Sequence, residues 1–186
     1  MIKSIVTGFV LLSATSALAD PIASKDAAKL LFAPQGAQAV INKDAGLKPA
    51  ESKALATVLA GQPYYAAAAF SPGDGLMSEA TQLAGNYNDV DNASAVALAQ
   101  CNKVKKAKQP CVIVATSYPK GWKARPLQLS SDATAGFKSL YPAGSGAMAT
   151  SAATGAWAIK GTAVEAIAAC KASEKKPKDC VVVIQN

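Results

Sequence analysis

At 186 residues, with 51% hydrophobic and 17% charged side chains, the chain has the make-up of one globular domain, or two small ones sharing a core, and not of a disordered segment. It contains no histidine, which removes the commonest general base, the Ser-His and Cys-His nucleophile arrangements and the usual imidazole metal ligand. The formal charge of +7 points to an acidic partner or to plain solubility.

The first stretch reads as an export leader. Lys3 supplies a positive start, Ile5 to Leu12 a short apolar run, and Ala17-Leu18-Ala19 a small-residue cleavage site before Asp20. The apolar run is too short to span a bilayer; the alternative reading is a buried first helix. No cysteine follows the site, which argues against a lipid anchor. Residues 1–19 are therefore expected to be a signal peptide cleaved after Ala19, and the remaining chain to be periplasmic or secreted. No later segment approaches about 18 uninterrupted apolar residues, so no transmembrane segment is expected after leader removal.

Residues 20–62 read as an N-terminal helical extension. Ser24 or Asp26 can cap a short helix through Lys29 to Phe32 that Pro34 stops. Residues 34–48 carry no assignment. Pro49 to Leu59 reads as a helix with proline in its first turn and Gly61 after its end.

Residues 63–117 and 146–186 form a repeated unit, joined by a connecting segment over 118–145. In the first copy a helix over Asn92 to Cys101, with Asp91 as a plausible N-cap, leads through a basic loop to Cys111-Val112-Ile113-Val114. In the second, a helix after Thr162 ends at Cys170, and another basic loop leads to Cys180 and Val181 to Ile184. Nine residues separate the cysteines in each copy, and the copies lie 69 positions apart. Upstream, Tyr64 to Phe70 and Ala147 to Ser151 occupy equivalent places as strands, each before a turn. Gly85-Asn86-Tyr87 and Gly155-Ala156-Trp157 read as matching Gly-x-aromatic signatures, with Gly75 to Thr81 as an insertion in the first copy. The connecting segment offers a turn at Pro119 to Trp122, strand-like alternation at Leu127-Gln128-Leu129, and a helix capped by Ser131-Asp132 running through Leu140. That helix echoes the Pro49 helix ahead of the first copy. The expected fold is α+β: two related strand–strand–helix–strand repeats sharing a largely antiparallel sheet and stapled by disulfides.

In an exported chain four cysteines imply bridges, and three connectivities are open. If each copy folds as a unit, each closes its own: Cys101–Cys111 and Cys170–Cys180. A closed loop of this length contributes about 2–3 kcal/mol in the chain-entropy view. Zinc is the alternative, disfavoured by the wide spacing and the oxidising compartment.

Few residues suggest chemistry. With the cysteines paired no thiol nucleophile remains, and neither a Ser-Lys pair nor a carboxylate dyad has a distinctive pattern. Gly144-Ser145-Gly146 reads as a flexible connection. Asp74, Asp89 and Asp91 suggest weak calcium binding, but Asp89-Val90-Asp91-Asn92 lacks the glycine and distant glutamate of a calcium loop, and turn and cap roles are the commoner use. No catalytic residue, metal or cofactor is expected. Lys103, Lys105, Lys106 and Lys108 fill the first cysteine loop; Lys171, Lys175, Lys176 and Lys178 fill the second, diluted by Glu174 and Asp179. They are the candidate anion-binding residues, for an outer-membrane headgroup, an acidic polymer or extracellular nucleic acid; the plainer alternative is a solvated loop. Among the aromatic residues, Tyr64, Tyr65, Tyr87 and Trp157 read as packing, and Trp122 as exposed and interactive.

The repeated Ala97-Leu98-Ala99-Gln100-Cys101 to Cys111 and Ala166-Ile167-Ala168-Ala169-Cys170 to Cys180, with Gly-x-aromatic strands before each helix, resemble a family of small secreted bacterial domains of unknown function. The likeness covers Tyr64 to the C-terminus and brings no catalytic residues with it. Similar small alphaproteobacterial exported proteins carry the label 5-aminolevulinate synthase. That activity resembles the work of large cytosolic pyridoxal-phosphate transferases with a Schiff-base lysine, and the residues here do not support it. The expected function is an exported non-catalytic binding or envelope-associated module; the alternative is a small histidine-independent periplasmic enzyme of hydrolase type.

Overall fold

The computed structural model describes residues 20–186, so the leader expected at 1–19 lies outside the described residues. The architecture is α+β with two antiparallel sheets. In chain order the elements are α1 (Ser24–Leu30), β1 (Ala37–Ile41), a 3-10 turn (Lys43–Ala45), α2 (Pro49–Ala60), β2 (Ala66–Phe70), β3 (Gln82–Ala84), α3 (Val90–Val104), β4 (Val112–Pro119), α4 (Ser131–Leu140), β5 (Ala147–Thr150), β6 (Trp157–Lys160), α5 (Ala163–Lys171) and β7 (Val181–Gln185).

The duplication is visible in the topology. One sheet has the order β1-β4-β2-β3, the other β6-β5-β7, so each unit places its first strand between its second and its last. Each central strand also shifts register against the last strand at a corresponding place, between Ala68 and Ala69 and between Met148 and Ala149. The strands divide into two sheets, one per unit, in place of the single shared sheet expected. The outer edges of the last strands are both occupied by N-terminal residues: β4 is flanked by β1, while β7 is met by Ile22, whose N–H donates to Val183 and whose carbonyl accepts from Gln185. Residues 34–48, unassigned from sequence, thus supply the strand that closes the first sheet.

The central strands β2 and β5 are covered on both faces, while the edge strands leave Val40 and Leu83 exposed. Successive strand residues point to opposite sides. Ala67 and Ala69 of β2 pack with Ala93, Ala97 and Cys101 of α3, whereas Ala66, Ala68 and Phe70 pack with Leu55 and Leu59 of α2. In the second unit Ala147 and Ala149 meet Ala166 and Cys170 of α5, and Met148 meets Phe137 of α4 and Ala27 of α1. The helix before each unit therefore fills the same layer. Among the described residues these contacts form four clusters of buried side chains, two on the faces of each sheet.

Local details refine the expectations. Asp89, not Asp91, caps α3: its Oδ1 accepts from the Asn92 N–H at 2.7 Å, and Asp91 falls in the first turn. Thr162 caps α5 in a capping box with Glu165. Ser130, one residue earlier than expected, caps α4. Leu127-Gln128-Leu129 keeps its in-out alternation but joins no sheet. The Gly-x-aromatic signatures are not equivalent. Ala67 pairs with Ala84 and Ala147 with Lys160, so Gly85 follows β3 whereas Gly155 precedes β6. The two segments meet instead: a β-carbon on Gly155, which has φ 69°, would stand 2.4 Å from the Asn86 carbonyl oxygen. Beside them buried Asn88 ties the units together, donating to the Ser151 carbonyl at 3.1 Å and accepting from the Ser130 N–H at 3.0 Å.

Candidate functional site

The two lysine loops leave the C-termini of α3 and α5, where the helix dipole favours cations. Each is closed at its base by a disulfide, Cys101–Cys111 and Cys170–Cys180, with Cα atoms 6.1 Å apart in both. The bridges make the chain a small disulfide-stapled domain and fit an oxidising, exported location. Among the described residues no helix is long and apolar enough to cross a membrane.

A carboxylate ties each loop to the neighbouring hairpin, from opposite sides in the two copies. In the first, Asp74 belongs to the hairpin and accepts from the backbone N–H groups of Lys106 and Ala107, both at 3.0 Å. The Ser71 hydroxyl beside it, those N–H groups and the charge of Lys105 hold the Asp74 carboxyl below its ordinary value of 3.8. In the second, Asp179 belongs to the lysine loop and accepts from Ser151 Oγ at 2.6 Å and the Ala153 N–H at 2.8 Å. Partial burial opposes ionisation of Asp179, but these donors outweigh it and its carboxyl too lies below the ordinary value.

The eight lysines do not play one part. Lys105 is half-buried, and its Nζ donates to the carbonyls of Ala107 at 2.8 Å and Lys108 at 3.3 Å, bracing the loop from within. Lys175 donates to the Thr154 carbonyl at 2.7 Å and stands 5.6 Å from the ring centroid of Tyr87. Lys103, Lys106, Lys108, Lys171, Lys176 and Lys178 are exposed. Among the described residues Lys29–Asp26 is the only ion pair, so no loop lysine is neutralised by a carboxylate at contact distance.

The other candidate residues are structural. Asp74 and Asp89 act in the turn and the cap just described, and among the described residues no cluster of three histidine, cysteine or acidic side chains is gathered. Tyr64 and Tyr65 are buried, with Thr134 and Trp122 beside their hydroxyls but short of hydrogen-bond geometry. Trp122, expected to be exposed, is half-buried: its Nε1–H donates to Gln128 at 3.0 Å and its ring packs on Tyr118 at 4.8 Å. The adjacent Arg125, which would have kept the turn wet, lies over the Phe32 ring at 3.7 Å.

A groove of about 380 Å³ beside the first loop brings together Asp74, Ser78, Glu79 and Lys106 with Met77 and Val104. It gathers the residue types a histidine-free hydrolase would need. A serine–lysine nucleophile requires hydroxyl and amine in contact; the Ser78 hydroxyl donates to the Gly75 carbonyl at 2.8 Å instead. Gly75 to Thr81, expected as an insertion in the first hairpin, flanks the lysines; no local pattern marks this, because the contact depends on Asp74 reaching more than thirty residues along the chain. No family model, curated protein or solved structure matches the chain.

Proposed function

We propose that the protein is an exported, non-catalytic module of the small secreted, cysteine-bridged kind, and that it contacts an anionic partner through its two lysine loops. The observation that carries this reading is the set of six exposed loop lysines that have no carboxylate at contact distance among the described residues, held on two disulfide-closed loops at equivalent helix ends. A fixed loop presents its charge without the ordering cost that a flexible tail meets on binding. Attraction of this type depends on released counterions or on surface potential, and weakens steeply with salt.

The test is a salt titration of retention on immobilised heparin, comparing the protein from Asp20 onward with K103Q/K106Q/K108Q and with K171Q/K176Q/K178Q. Retention at low salt that falls with salt, and falls further in the variants, is the expected result. Absence of low-salt retention, or equal retention by all three proteins, refutes the reading.

A further inference from the structure

We infer that the first lysine loop and the hairpin beside it form a contact for an anionic lipid surface, with Met77 entering the headgroup layer. This rests on the anion-contact reading and narrows it to one copy and one partner class.

The two copies differ at this place. Eleven residues separate β2 from β3, whereas six separate β5 from β6. The longer hairpin is folded, not loose: Gly75 N–H donates to the Ser71 carbonyl at 2.9 Å, Ser78 N–H to Gly75 at 3.2 Å, and Thr81 N–H to Ser78 at 3.1 Å. Leu76 turns inward against the α2-side core, and Ala80 is buried under α3. Met77 between them is 96% exposed. A large apolar side chain held outward by ordered turns on both sides has no internal role.

The hairpin and the lysine loop form one surface. Asp74 clamps the Lys106–Ala107 backbone, and Gly73 lies so close to Ala107 that a β-carbon there would be 2.5 Å from the alanine's. Met77 and Lys106 line the same groove as Val104, itself 42% exposed on the last turn of α3. Lys103 and Lys108 flank them in sequence and are exposed; Glu79 is the exposed acid of the patch, Asp74 being tied to the backbone. Exposed apolar residues beside exposed lysines match a bilayer interface, where the apolar side chain enters the acyl boundary and the ammonium groups meet anionic headgroups. Single-stranded nucleic acid would call for exposed aromatic rings to stack on, and Phe70, paired with Val112 beside the first loop, and Tyr87, beside Lys175 of the second, are both buried. The second loop has the shorter hairpin beside it, without a counterpart of Met77; each loop has one engaged lysine, Lys105 or Lys175, and one exposed acid beside it, Glu79 or Glu174.

The test is sedimentation of the protein from Asp20 onward with vesicles of phosphatidylglycerol and phosphatidylcholine, with vesicles of phosphatidylcholine alone, and, in parallel, heparin retention. Expected is binding to the anionic vesicles only, with M77S weakening it on the order of fivefold while leaving heparin retention unchanged. M77L should restore vesicle binding, and K103Q/K106Q/K108Q should lower both readouts, on the order of fivefold per lysine at the vesicle. Wild-type affinity of M77S for anionic vesicles, or heparin retention without vesicle binding, overturns the lipid contact while the anion reading stands. Failure of the unsubstituted protein to bind either ligand overturns both.

Discussion

The indole of Trp157 lies directly on Gly136, where a β-carbon would stand 2.2 Å from Cη2. Glycine in the middle of α4 forgoes about 1 kcal/mol of helix propensity relative to alanine. That loss is tolerated because the ring can then fill the space between α4 and β6. G136A is expected to destabilise the protein by about 1–2 kcal/mol net, overpacking exceeding the propensity gain. Urea unfolding reads this directly, and W157L/G136A should recover part of the loss. A more stable G136A would show that the indole moves aside freely.

Each bridge should act on its own unit. C101S/C111S and C170S/C180S are each expected to lose about 2–3 kcal/mol, less any strain relieved. Reduction of the unsubstituted protein should lower its unfolding midpoint by more than either pair alone, as measured by urea titration with and without dithiothreitol. A midpoint indifferent to reductant would mean that the bridges contribute nothing to stability.

Acid sensitivity should involve the carboxylates that tie loops to hairpins. Because the folded-state pKa of Asp179 lies below 3.8, its contribution is present above that value and disappears as pH falls through the folded pKa. D179N should therefore lose less stability than the parent between about pH 5 and pH 2. The group is largely solvated, so the difference stays within about 1 kcal/mol. Parallel acid limbs for parent and variant would remove Asp179 from the account.

The buried phenols predict an effect of opposite sign. Burial pushes the hydroxyls of Tyr64 and Tyr65 above the usual tyrosine range, and neither has a hydrogen-bond partner among the described residues. Removing a buried hydroxyl that bonds to nothing costs little, so Y65F should match or exceed the parent in stability, within about 1 kcal/mol. With a raised folded-state pKa, the stability tied to the neutral phenol is complete below about pH 10 and declines above it, and Y65F should flatten that decline. Stability measured across the alkaline range decides it; a loss of several kcal/mol would show an undetected partner for the hydroxyl.

Much of the fold was legible because it repeats. Paired cysteines at matched spacing, alanine-rich helices before them and β-branched runs after them carry the unit twice, and the second copy settles what one leaves ambiguous, as at Tyr64 to Phe70. What stayed hidden depended on neighbours distant in sequence. Ala37–Ile41 is a short edge strand whose partner, β4, lies some eighty residues away, and nothing local marks it. The false match of Gly85 with Gly155 arose because two similar tripeptides sit on opposite sides of a hairpin strand, which only pairing register reveals. Trp122 looked wet beside Lys120, Lys123 and Arg125, but Tyr118 and Gln128 enclose it. The lysines were evident as a run; that Lys105 and Lys175 are braces and the others free was not, since both types share one residue name.

The alanines lining the seams between β2 and α3 and between β5 and α5 give the protein a one-sided response to genetic change. At Ala67, Ala69, Ala93, Ala97, Ala147, Ala149 and Ala166, all essentially inaccessible, a smaller side chain exists only as glycine, so almost every substitution adds volume where strand and helix are already in contact. Most residue types there would have to lift a whole helix rather than leave a hole. Lineages descended from such a sequence can drift freely on the outside and adjust stability through the opposite layers, where Leu55, Leu59, Phe137 and Met148 leave volume to exchange, while these inner seams stay nearly frozen.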